Sequence, residues 1–262
     1  MPEPVSALDV RSVCKAFGGL KAVQDFSLEL PVGCLRGLIG PNGAGKTTVF
    51  NLITGVYKPD TGSTTLCGQS IDGLRPSTIA SRGMARTFQN IRLFGELSVL
   101  DNVKLACHVR ARQTLAGSIL RTPFARREEA AQTARARELL HLFDLADRED
   151  EQAKNLPYGD QRRLEIARAL ATSPKVLLLD EPAAGMNPQE KAELRKLIRR
   201  VREQFGVSIL LIEHDMGVVM DICEVITVLD HGQVISVGTP DHVQKDPKVI
   251  EAYLGVAEVS HA

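Results

Sequence analysis

The sequence predicts an α/β fold with a parallel core sheet, and three features support this prediction. Residues 176–179 form an unbroken apolar run after Pro174, which is typical of a strand buried on both faces of a parallel sheet. Strand-like and helix-like segments alternate over residues 174–255, as they do in α/β domains. A second apolar run, residues 34–39, stops at a glycine and precedes a helical stretch at residues 48–54. The 262 residues allow one large domain or two small ones.

The N-terminal part of the chain, residues 1–75, is predicted to form short strands and turns. The apolar residues Phe26, Leu28 and Leu30 alternate with polar ones, which is the period of a half-buried strand. Pro31 follows this run and ends the strand, because a proline cannot donate a backbone hydrogen bond. The β structure is therefore predicted to begin before residue 40.

The middle of the chain, residues 96–172, is predicted to be mostly helical, with a break marked by Gly117 and Pro123. After the buried strand, apolar residues recur at helical spacing. They are Leu194, Leu197, Ile198, Val201 and Phe205. Residues 208–212 are a further apolar run and predict the next strand.

Two helix starts are visible near the C-terminal end. Thr239 and Asp246 are each followed by a proline, and a capping residue before a proline is typical of the first turn of a helix. Gly255 is expected to cap the C-terminus of the last helix, because glycine adopts the left-handed conformation that such caps require.

Composition excludes several classes of protein. Lys+Arg and Asp+Glu both number 32, which argues against a general nucleic-acid-binding protein. Aromatic residues make up 4% of the chain, which argues against an aromatic belt at a membrane interface. No apolar run approaches the roughly 18–20 residues that span a bilayer, which argues against a membrane-spanning helix. The N-terminal residues lack the basic and apolar regions of a signal peptide. The five scattered cysteines suit a reducing cytosol and are expected to be small buried side chains: Cys14, Cys34, Cys67, Cys107 and Cys223.

The segment GPNGAGKT, residues 40–47, matches the pattern G-x-x-x-x-G-K-[ST] between a strand and a helix. Its glycines let backbone N–H groups converge on a phosphate, and the helix N-terminus adds positive potential. Lys46 supplies a charge for the β- and γ-phosphates, and the Thr47 hydroxyl can ligate Mg²⁺. The alternative is a glycine-rich turn that matches by chance. The predicted nucleotide-binding residues here are Asn42, Gly43, Ala44, Gly45, Lys46, Thr47 and Thr48.

Acidic residues follow the buried strand at residues 176–179. Asp180 can hold Mg²⁺ through water, and Glu181 is placed to act as a general base on an attacking water. Two such acids are also common as a helix cap. His214 follows the next strand, at the carboxyl edge where α/β sheets bind ligands. The alternative is that His214 has only a structural role.

The segment NLPYGDQRRLEIARAL, residues 155–170, completes a set that resembles the ATPase subunits of ABC transporters. The order of the motifs is that of the family: the segment at residues 40–47, called the phosphate loop below, then Gln89, this signature segment, Asp180 with Glu181, and His214. The resemblance implies that Gln89 reaches Mg²⁺ and the attacking water, and that His214 is the switch histidine. It also implies that Phe17 stacks on adenine, although a lone phenylalanine is equally often a core residue.

The signature segment departs from the usual pattern of the family. Leu-Ser-Gly-Gly-Gln is usual, and this chain has Pro157, Tyr158, Gly159 and Asp160 after the leucine. Pro157 replaces the serine that touches the γ-phosphate held by a partner chain. The segment AGMN, residues 184–187, also replaces the usual Ser-Ala-Leu-Asp. The resemblance thus implies that the ATP site facing this signature segment, on the partner chain, is weakened. The ATP site built on this chain's own Lys46 is not affected.

Other segments resemble the first ATPase subunit of branched-chain amino-acid importers. They are NIRLF (residues 90–94), an insertion from residue 108 to about 127, DEPAAGMNP (180–188) and VIEAYLG (249–255). Similar subunits serve urea, amide and other amino-acid import and lipopolysaccharide export. A soluble ABC ATPase acting on nucleic acid or ribosomes is the alternative from another class. The chain has neither the long coiled coil nor the second cassette of those proteins.

The resemblance implies one ABC domain over residues 1–255. Residues 1–89 and 166–238 would form a catalytic core with an antiparallel β subdomain, residues 90–165 a helical subdomain, and residues 239–262 C-terminal helices and tail. ATP and Mg²⁺ would be bound. The partners would be transmembrane permease subunits, a second ATPase subunit and, indirectly, a periplasmic solute-binding protein. The chain would lie at the cytoplasmic face of the cell membrane.

Arginines are frequent in the middle region. A solvated helical face is the favoured interpretation, and a surface near the permease and anionic headgroups is the alternative. The residues concerned are Arg110, Arg112, Arg121, Arg126, Arg127, Arg135 and Arg137.

Overall fold

The computed structural model describes residues 6–107 and 123–259. The chain forms two compact units. The first is built from the residues up to Arg86 and from Lys175 onward, and the second is Thr87–Pro174. The predicted break at Gly117 lies outside the described residues, as do most of the insertion and Arg110, Arg112 and Arg121.

The strands all belong to the first unit. Along the chain they are β1 (Ser6–Phe17), β2 (Leu20–Pro31), β3 (Leu35–Ile39), β4 (Thr61–Leu66), β5 (Gln69–Ser70), β6 (Met84–Arg86), β7 (Val176–Asp180), β8 (Ser208–Ile212), β9 (Val225–Asp230) and β10 (Gln233–Gly238). The helices are α1 (Lys46–Ile53), α2 (Pro76–Ser81), α3 (Val99–Cys107), α4 (Pro123–Leu142), α5 (Tyr158–Ala171), α6 (Pro188–Phe205), α7 (Met216–Ile222), α8 (Pro240–Lys245) and α9 (Pro247–Val259). Of these, α3, α4 and α5 lie in the second unit.

The core sheet has the strand order β10-β9-β3-β8-β7-β6. Its pairs from β9 to β6 are parallel, and β10 joins β9 antiparallel. All residues of β7 and β8 are buried, as expected for central strands of a parallel sheet covered on both faces. The predicted α/β fold with a parallel core sheet is confirmed. The ends of β3, β7 and β8 meet at one edge, and the segments after them form the candidate site.

The second sheet is antiparallel, with the order β2-β1-β4-β5. The predicted alternation in β2 is confirmed, since Phe26, Leu28 and Leu30 are buried. β1 and β2 are 12 residues each, longer than the short strands predicted. Register shifts and left-handed residues at Ser12 and Asp25 interrupt their apolar alternation, and a bulge of this kind hides the continuity of a strand.

One hydrophobic core joins the two sheets to α1. Leu8 and Phe26 of the antiparallel sheet share it with Leu178 and Leu210 of the core sheet. From α1, Phe50 enters the same core and is fully buried. Burial of this apolar face anchors α1 directly behind the glycine-rich segment, with its N-terminus at Lys46.

The predicted helix starts near the C-terminal end are confirmed, because α8 begins at Pro240 and α9 at Pro247. The Thr239 hydroxyl accepts a hydrogen bond from the backbone N–H of His242, as a capping residue does. The expectation that Gly255 caps the last helix is wrong, since α9 continues to Val259. A glycine inside a helix costs only about 1 kcal/mol relative to alanine, so Gly255 need not end it.

The second unit contains α3, α4, α5 and two short 3₁₀ turns, Ala146–Arg148 and Ala153–Asn155. Leu139, Leu140 and Phe143, at the end of α4 and just beyond it, are buried, as is Leu164 of α5. On the exposed side of α4, Arg135 pairs with Glu138 at 3.3 Å and Arg137 pairs with Glu149 at 2.9 Å. These exposed ion pairs fit a solvated helical face for those two arginines.

Among the described residues, no helix is both long and apolar enough to cross a lipid bilayer.

Candidate functional site

The glycine-rich segment at residues 40–47 lies between β3 and α1, as predicted. Two of its glycines are required by close backbone approach: a Cβ on Gly40 would lie 2.0 Å from the Leu229 carbonyl oxygen, and one on Gly45 would lie 2.6 Å from that of Ala22. Gly45 also has φ 104°, a left-handed value that glycine adopts at little cost. The segment therefore takes a conformation that bulkier residues would prevent.

The N-terminus of α1 is open to an anion. No side chain caps it, and no acidic residue lies in its first turn. The unpaired N–H groups of a helix start and its dipole both favour a negative group. Asn42, Gly43 and Thr47 are exposed around this end, whereas Ala44 is buried and Thr48 is half-buried.

Lys46 is buried, and its ammonium group lies inside the loop. Nζ donates to the carbonyl oxygens of Gly40 at 2.7 Å and of Pro41 at 2.8 Å. Burial lowers the pKa of Lys46, and the negative charges of Glu181 and Asp180 oppose that effect. The loop thus presents a lysine, backbone N–H groups and a helix N-terminus together, which is the chemistry that a nucleotide phosphate requires.

Asp180 ends β7 and is buried. Its Oδ2 accepts a hydrogen bond from Arg86 Nη2 at 2.7 Å, and Arg86 Nη1 also donates to Asn51 Oδ1 of α1 at 2.7 Å. Arg86 ends β6, the strand beside β7. Sequence reasoning gave Arg86 no role. The available signal was its position at the end of a strand whose parallel neighbour ends in an acid.

The structure places Glu181 and His214 close together. Glu181 Oε2 lies 3.6 Å from His214 Nδ1. Glu181 has φ 47°, a left-handed conformation that is unfavourable for a residue with a Cβ. Its backbone N–H donates to the Ile212 carbonyl oxygen at 2.9 Å, so the end of β8 holds the turn that carries Glu181.

Glu213 is the most buried acidic residue of the site, with 0% of its surface exposed. Its carboxylate accepts hydrogen bonds from the backbone N–H groups of Ala183, His214 and Asp215. Burial raises the pKa of Glu213, while these hydrogen bonds and the nearby His214 lower it. Sequence reasoning assigned Glu213 no role, although an acid directly after a fully buried strand was a visible signal.

Phe17 ends β1, and 43% of its surface is exposed. Its ring meets Tyr57 edge to face, with the centroids 5.2 Å apart, and Lys15 Nζ lies 5.6 Å from its centroid. The core interpretation of Phe17 is therefore wrong. The ring is exposed, as stacking on a base would require.

Gln89 and the signature segment belong to the second unit. Gln89 is exposed, and its backbone carbonyl accepts a hydrogen bond from Arg162 Nη2. Arg162 Nη1 donates to the Phe88 carbonyl oxygen at 2.7 Å and to Glu165 Oε2 at 3.1 Å. Arg162 and Glu165 are both buried. Sequence reasoning missed both residues, because arginine and glutamate in a helix usually face solvent.

The signature residues surround the N-terminus of α5. Pro157 occupies the N-cap position and supplies no side-chain hydrogen bond there. Tyr158 is 45% exposed, and its hydroxyl accepts from Arg162 Nη2 at 3.1 Å. Gly159 is buried, and Asp160 Oδ2 lies 3.5 Å from Arg148 Nη1. The charge of Asp160 is therefore partly compensated within its own unit.

Comparison with protein families gives two matches. A family described as ABC transporter matches residues 23–184. A second, described as branched-chain amino acid ATP-binding cassette transporter, matches residues 233–259. The two matches cover the phosphate loop, both acids and the C-terminal helices.

Several named proteins are similar over nearly their whole length. The high-affinity branched-chain amino acid transport ATP-binding protein LivG of Salmonella typhimurium is 47% identical over 98% of this chain and 100% of its own. BraF of Pseudomonas aeruginosa, described in the same words, is 43% identical over the same shares. The lipopolysaccharide export system ATP-binding protein LptB of Haemophilus influenzae is 34% identical over 96% of this chain and 98% of its own.

A solved structure has the same fold. The ADP conformation of MJ1267, an ATP-binding cassette of an ABC transporter, superposes with a TM-score of 0.83 at 31% identity, covering 95% of this chain and 99% of that one. The phosphate loop and the acids at the end of β7 therefore lie in a fold that holds ADP in that protein. The chain belongs to the ABC transporter family, as a nucleotide-binding subunit that hydrolyses ATP.

Proposed function

We propose that this chain powers the import of branched-chain amino acids by hydrolysing ATP. The observation that supports ATP hydrolysis best is the cluster at one sheet edge, where Glu181 Oε2 lies 3.6 Å from His214 Nδ1 and the charges of Glu181 and Asp180 raise the pKa of the buried Lys46 against the effect of burial. The names of LivG and BraF and the family match at residues 233–259 support branched-chain amino acids as the transported class.

The phosphate loop binds the substrate in this proposal. Backbone N–H groups of residues 42–48 and the N-terminus of α1 cradle the phosphates, and Lys46 exchanges its bonds to the Gly40 and Pro41 carbonyls for the β- and γ-phosphates. The Thr47 hydroxyl and the Asp180 carboxylate would hold Mg²⁺, which neutralises phosphate charge when bound. Arg86 keeps the Asp180 side chain oriented.

Glu181 acts as the general base. It takes a proton from a water whose oxygen attacks the γ-phosphorus, while the bond from that phosphorus to the bridging oxygen of ADP breaks. ADP and phosphate are the products. His214, beside Glu181, is placed to donate a hydrogen bond to the γ-phosphate. The family resemblance alone supports Gln89 as a further contact to Mg²⁺ and the attacking water, and Phe17 as the adenine-stacking ring.

The partners follow from the same resemblance. Two ATPase subunits would pair head to tail, so that Pro157, Tyr158, Gly159 and Asp160 of this chain meet the ATP bound by the partner chain. A heterodimer is favoured, because the importers that this chain resembles contain two different ATPase subunits. Transmembrane permease subunits would hold the pair at the cytoplasmic face of the membrane, and a periplasmic solute-binding protein would deliver the solute.

The experiment is reconstitution of the complex that copurifies with this chain from membranes. We expect permease subunits in that complex. Vesicles loaded with ATP and Mg²⁺ should take up radiolabelled leucine when the solute-binding protein is added. The Glu181→Gln variant should abolish uptake, whereas Glu203→Gln, the same change at an exposed position of α6, should not.

Other outcomes of this experiment would replace the proposed solute. Uptake of urea without leucine uptake would assign the chain to a related importer. Stimulation of its ATPase activity by lipopolysaccharide would favour the export system to which LptB belongs. Copurification with nucleic acid or ribosomes, without permease subunits, would contradict a role in transport.

A further inference from the structure

Glu213 joins the two turns that carry the reactive side chains of the site. It directly follows β8, whose five residues are all buried, and none of its own surface is exposed. A buried carboxylate is tolerated only when hydrogen bonds replace its hydration. Both carboxylate oxygens of Glu213 accept such hydrogen bonds, and each oxygen accepts from the backbone N–H groups of a different turn.

The first turn is the one after β7, which carries Glu181. Glu213 Oε1 accepts from the Ala183 N–H at 2.7 Å. The same turn donates the Glu181 N–H to the Ile212 carbonyl oxygen at 2.9 Å. Both anchors of the turn therefore come from the end of β8. They hold Glu181 at φ 47°, a conformation that persists only where the surroundings enforce it.

The second turn is the one after β8, which carries His214. Glu213 Oε2 accepts from the His214 N–H at 3.2 Å and from the Asp215 N–H at 3.5 Å. Asp215 in turn caps α7, because its Oδ1 accepts from the Val218 N–H at 3.2 Å. The peptide before His214 is thereby fixed relative to the start of α7.

A second link between the two turns lies nearer the surface. Asp215 Oδ2 lies 2.5 Å from Lys191 Nζ. Lys191 is in the first turns of α6, the helix that follows the Glu181 turn. Asn187 and Glu190 form a reciprocal capping box at the start of that helix, which fixes where the Glu181 turn ends.

We propose that Glu213 is a positioning residue that sets the distance between the Glu181 carboxylate and the His214 imidazole. The inference depends on the proposed function, in which those two side chains act on the γ-phosphate. Glu213 itself contacts neither ATP nor water in this proposal. Its loss should therefore lower kcat and leave ATP binding, which the phosphate loop supplies, unchanged.

The decisive variant is Glu213→Gln. Glutamine has the same shape but only one acceptor oxygen, so its amide NH₂ must face the N–H groups of one turn or the other. We expect kcat to fall roughly 100-fold, the loss that a misplacement of about 1 Å can cause. The dissociation constant for ATP, measured by calorimetry, should stay within about threefold. Hydrogen exchange at the Ala183 or His214 amide should become faster.

Ser208→Ala is the matched control. Ser208 is a buried polar residue at the opposite end of the same strand, and its hydroxyl accepts from the Gly33 N–H at 2.9 Å. This variant should lower the melting temperature while kcat stays within about twofold of the wild type. A merely structural Glu213 would behave in the same way, with a lower melting temperature and unchanged kcat, and that result would overturn the proposal.

Glu213→Asp covers the case in which the glutamine variant does not fold. Aspartate keeps both oxygens but withdraws them by one methylene, so kcat should fall less than in Glu213→Gln and ATP affinity should not change. If the glutamine variant is unfolded, a wild-type kcat in Glu213→Asp would contradict the proposal. A wild-type chain without ATPase activity would instead contradict the proposed function, and the exchange rates of the Ala183 and His214 amides would still test their hydrogen bonds to Glu213.

Discussion

Glu181 and Lys46 have separable tasks at the scale of single residues. Lys46 is buried inside the phosphate loop, which follows β3, and contributes charge, whereas Glu181 follows β7 and lies beside His214. In the proposed function, binding and proton transfer therefore depend on different side chains. Substitution of each should change a different measured quantity.

The first prediction is that Glu181→Gln keeps ATP binding and lowers kcat by roughly 10²- to 10⁴-fold, because glutamine keeps the shape but cannot take a proton. ATP should then trap a dimer, which size-exclusion chromatography detects. Lys46→Ala should instead weaken ATP binding by about 10-fold or more, through the loss of a charged hydrogen bond. Normal turnover in Glu181→Gln would refute the general base.

The second prediction concerns the buried pair of Arg86 and Asp180. Arg86→Met should lower the free energy of unfolding by about 3 kcal/mol, because it removes a partner of a buried carboxylate. Urea unfolding measures this value. Adding Asp180→Asn should recover part of the loss, since the second change removes the buried charge.

The control for Arg86→Met is the same substitution at Arg199. Arg199 Nη2 lies 2.8 Å from Asp221 Oδ1, but both side chains are exposed. An exposed pair contributes about 0–1 kcal/mol, so Arg199→Met should have a small effect. Equal losses in the two variants would mean that burial of the Arg86 pair contributes nothing.

At the scale of elements, α5 connects two segments that the family resemblance assigns to ATP. Arg162 donates to the backbone carbonyls of Phe88 and Gln89 and to the Tyr158 hydroxyl. A guanidinium can make these bonds at once because its donors spread in a plane. The conformation around Gln89 thus depends on a helix about 70 residues further along the chain.

The third prediction is that Arg162→Lys lowers the free energy of unfolding by about 1–3 kcal/mol, because a single ammonium cannot reach all of these acceptors. Hydrogen exchange over residues 87–94 should become faster in the variant. Arg163→Lys, at the half-buried neighbouring position, should leave both measurements near wild type. Unchanged exchange in Arg162→Lys would show that other contacts hold this segment.

At the scale of the whole molecule, two unequal ATP sites are expected in a heterodimer. One would use this chain's Lys46 and Glu181 with the partner's signature segment. The other would use the partner's phosphate loop with this chain's Pro157, which has no hydroxyl and weakens the site by roughly 1.5–3 kcal/mol. Repulsion from Asp160 is a smaller effect, because Arg148 lies 3.5 Å from it.

The fourth prediction follows from this inequality. Glu181→Gln should cost the heterodimer more ATPase activity than the same change at the partner's equivalent acid. Pro157→Ser should tighten ATP-driven pairing. Since serine at the N-cap also stabilises the helix by about 1 kcal/mol, pairing must be measured with and without ATP. Equal losses from the two acids would mean that the signature loop shifts to restore its contacts.

Local patterns in the sequence were sufficient to predict the fold class and to choose the main candidate residues of the site. The apolar runs of β7 and β8, the glycines around Lys46 and the acids at the end of β7 are each readable within a few residues. Strands buried on both faces and loops that bind phosphate leave such short-range signatures. The departures at Pro157 and Asp160 were equally visible.

Only the tertiary structure decided which side chains support that site. Arg86 reaches Asp180 across 94 positions of the chain, Glu213 reaches Ala183 across 30, and Arg162 reaches Gln89 across 73. Position at a strand end singles out Arg86 and Glu213 as candidates, but it does not identify their partners, because an arginine or glutamate near a strand end or in a helix is more often solvated. The sequence by itself determined the candidate residues for the reaction, and the packing of distant segments determined what holds them in place, since burial compels each charge to find its partners.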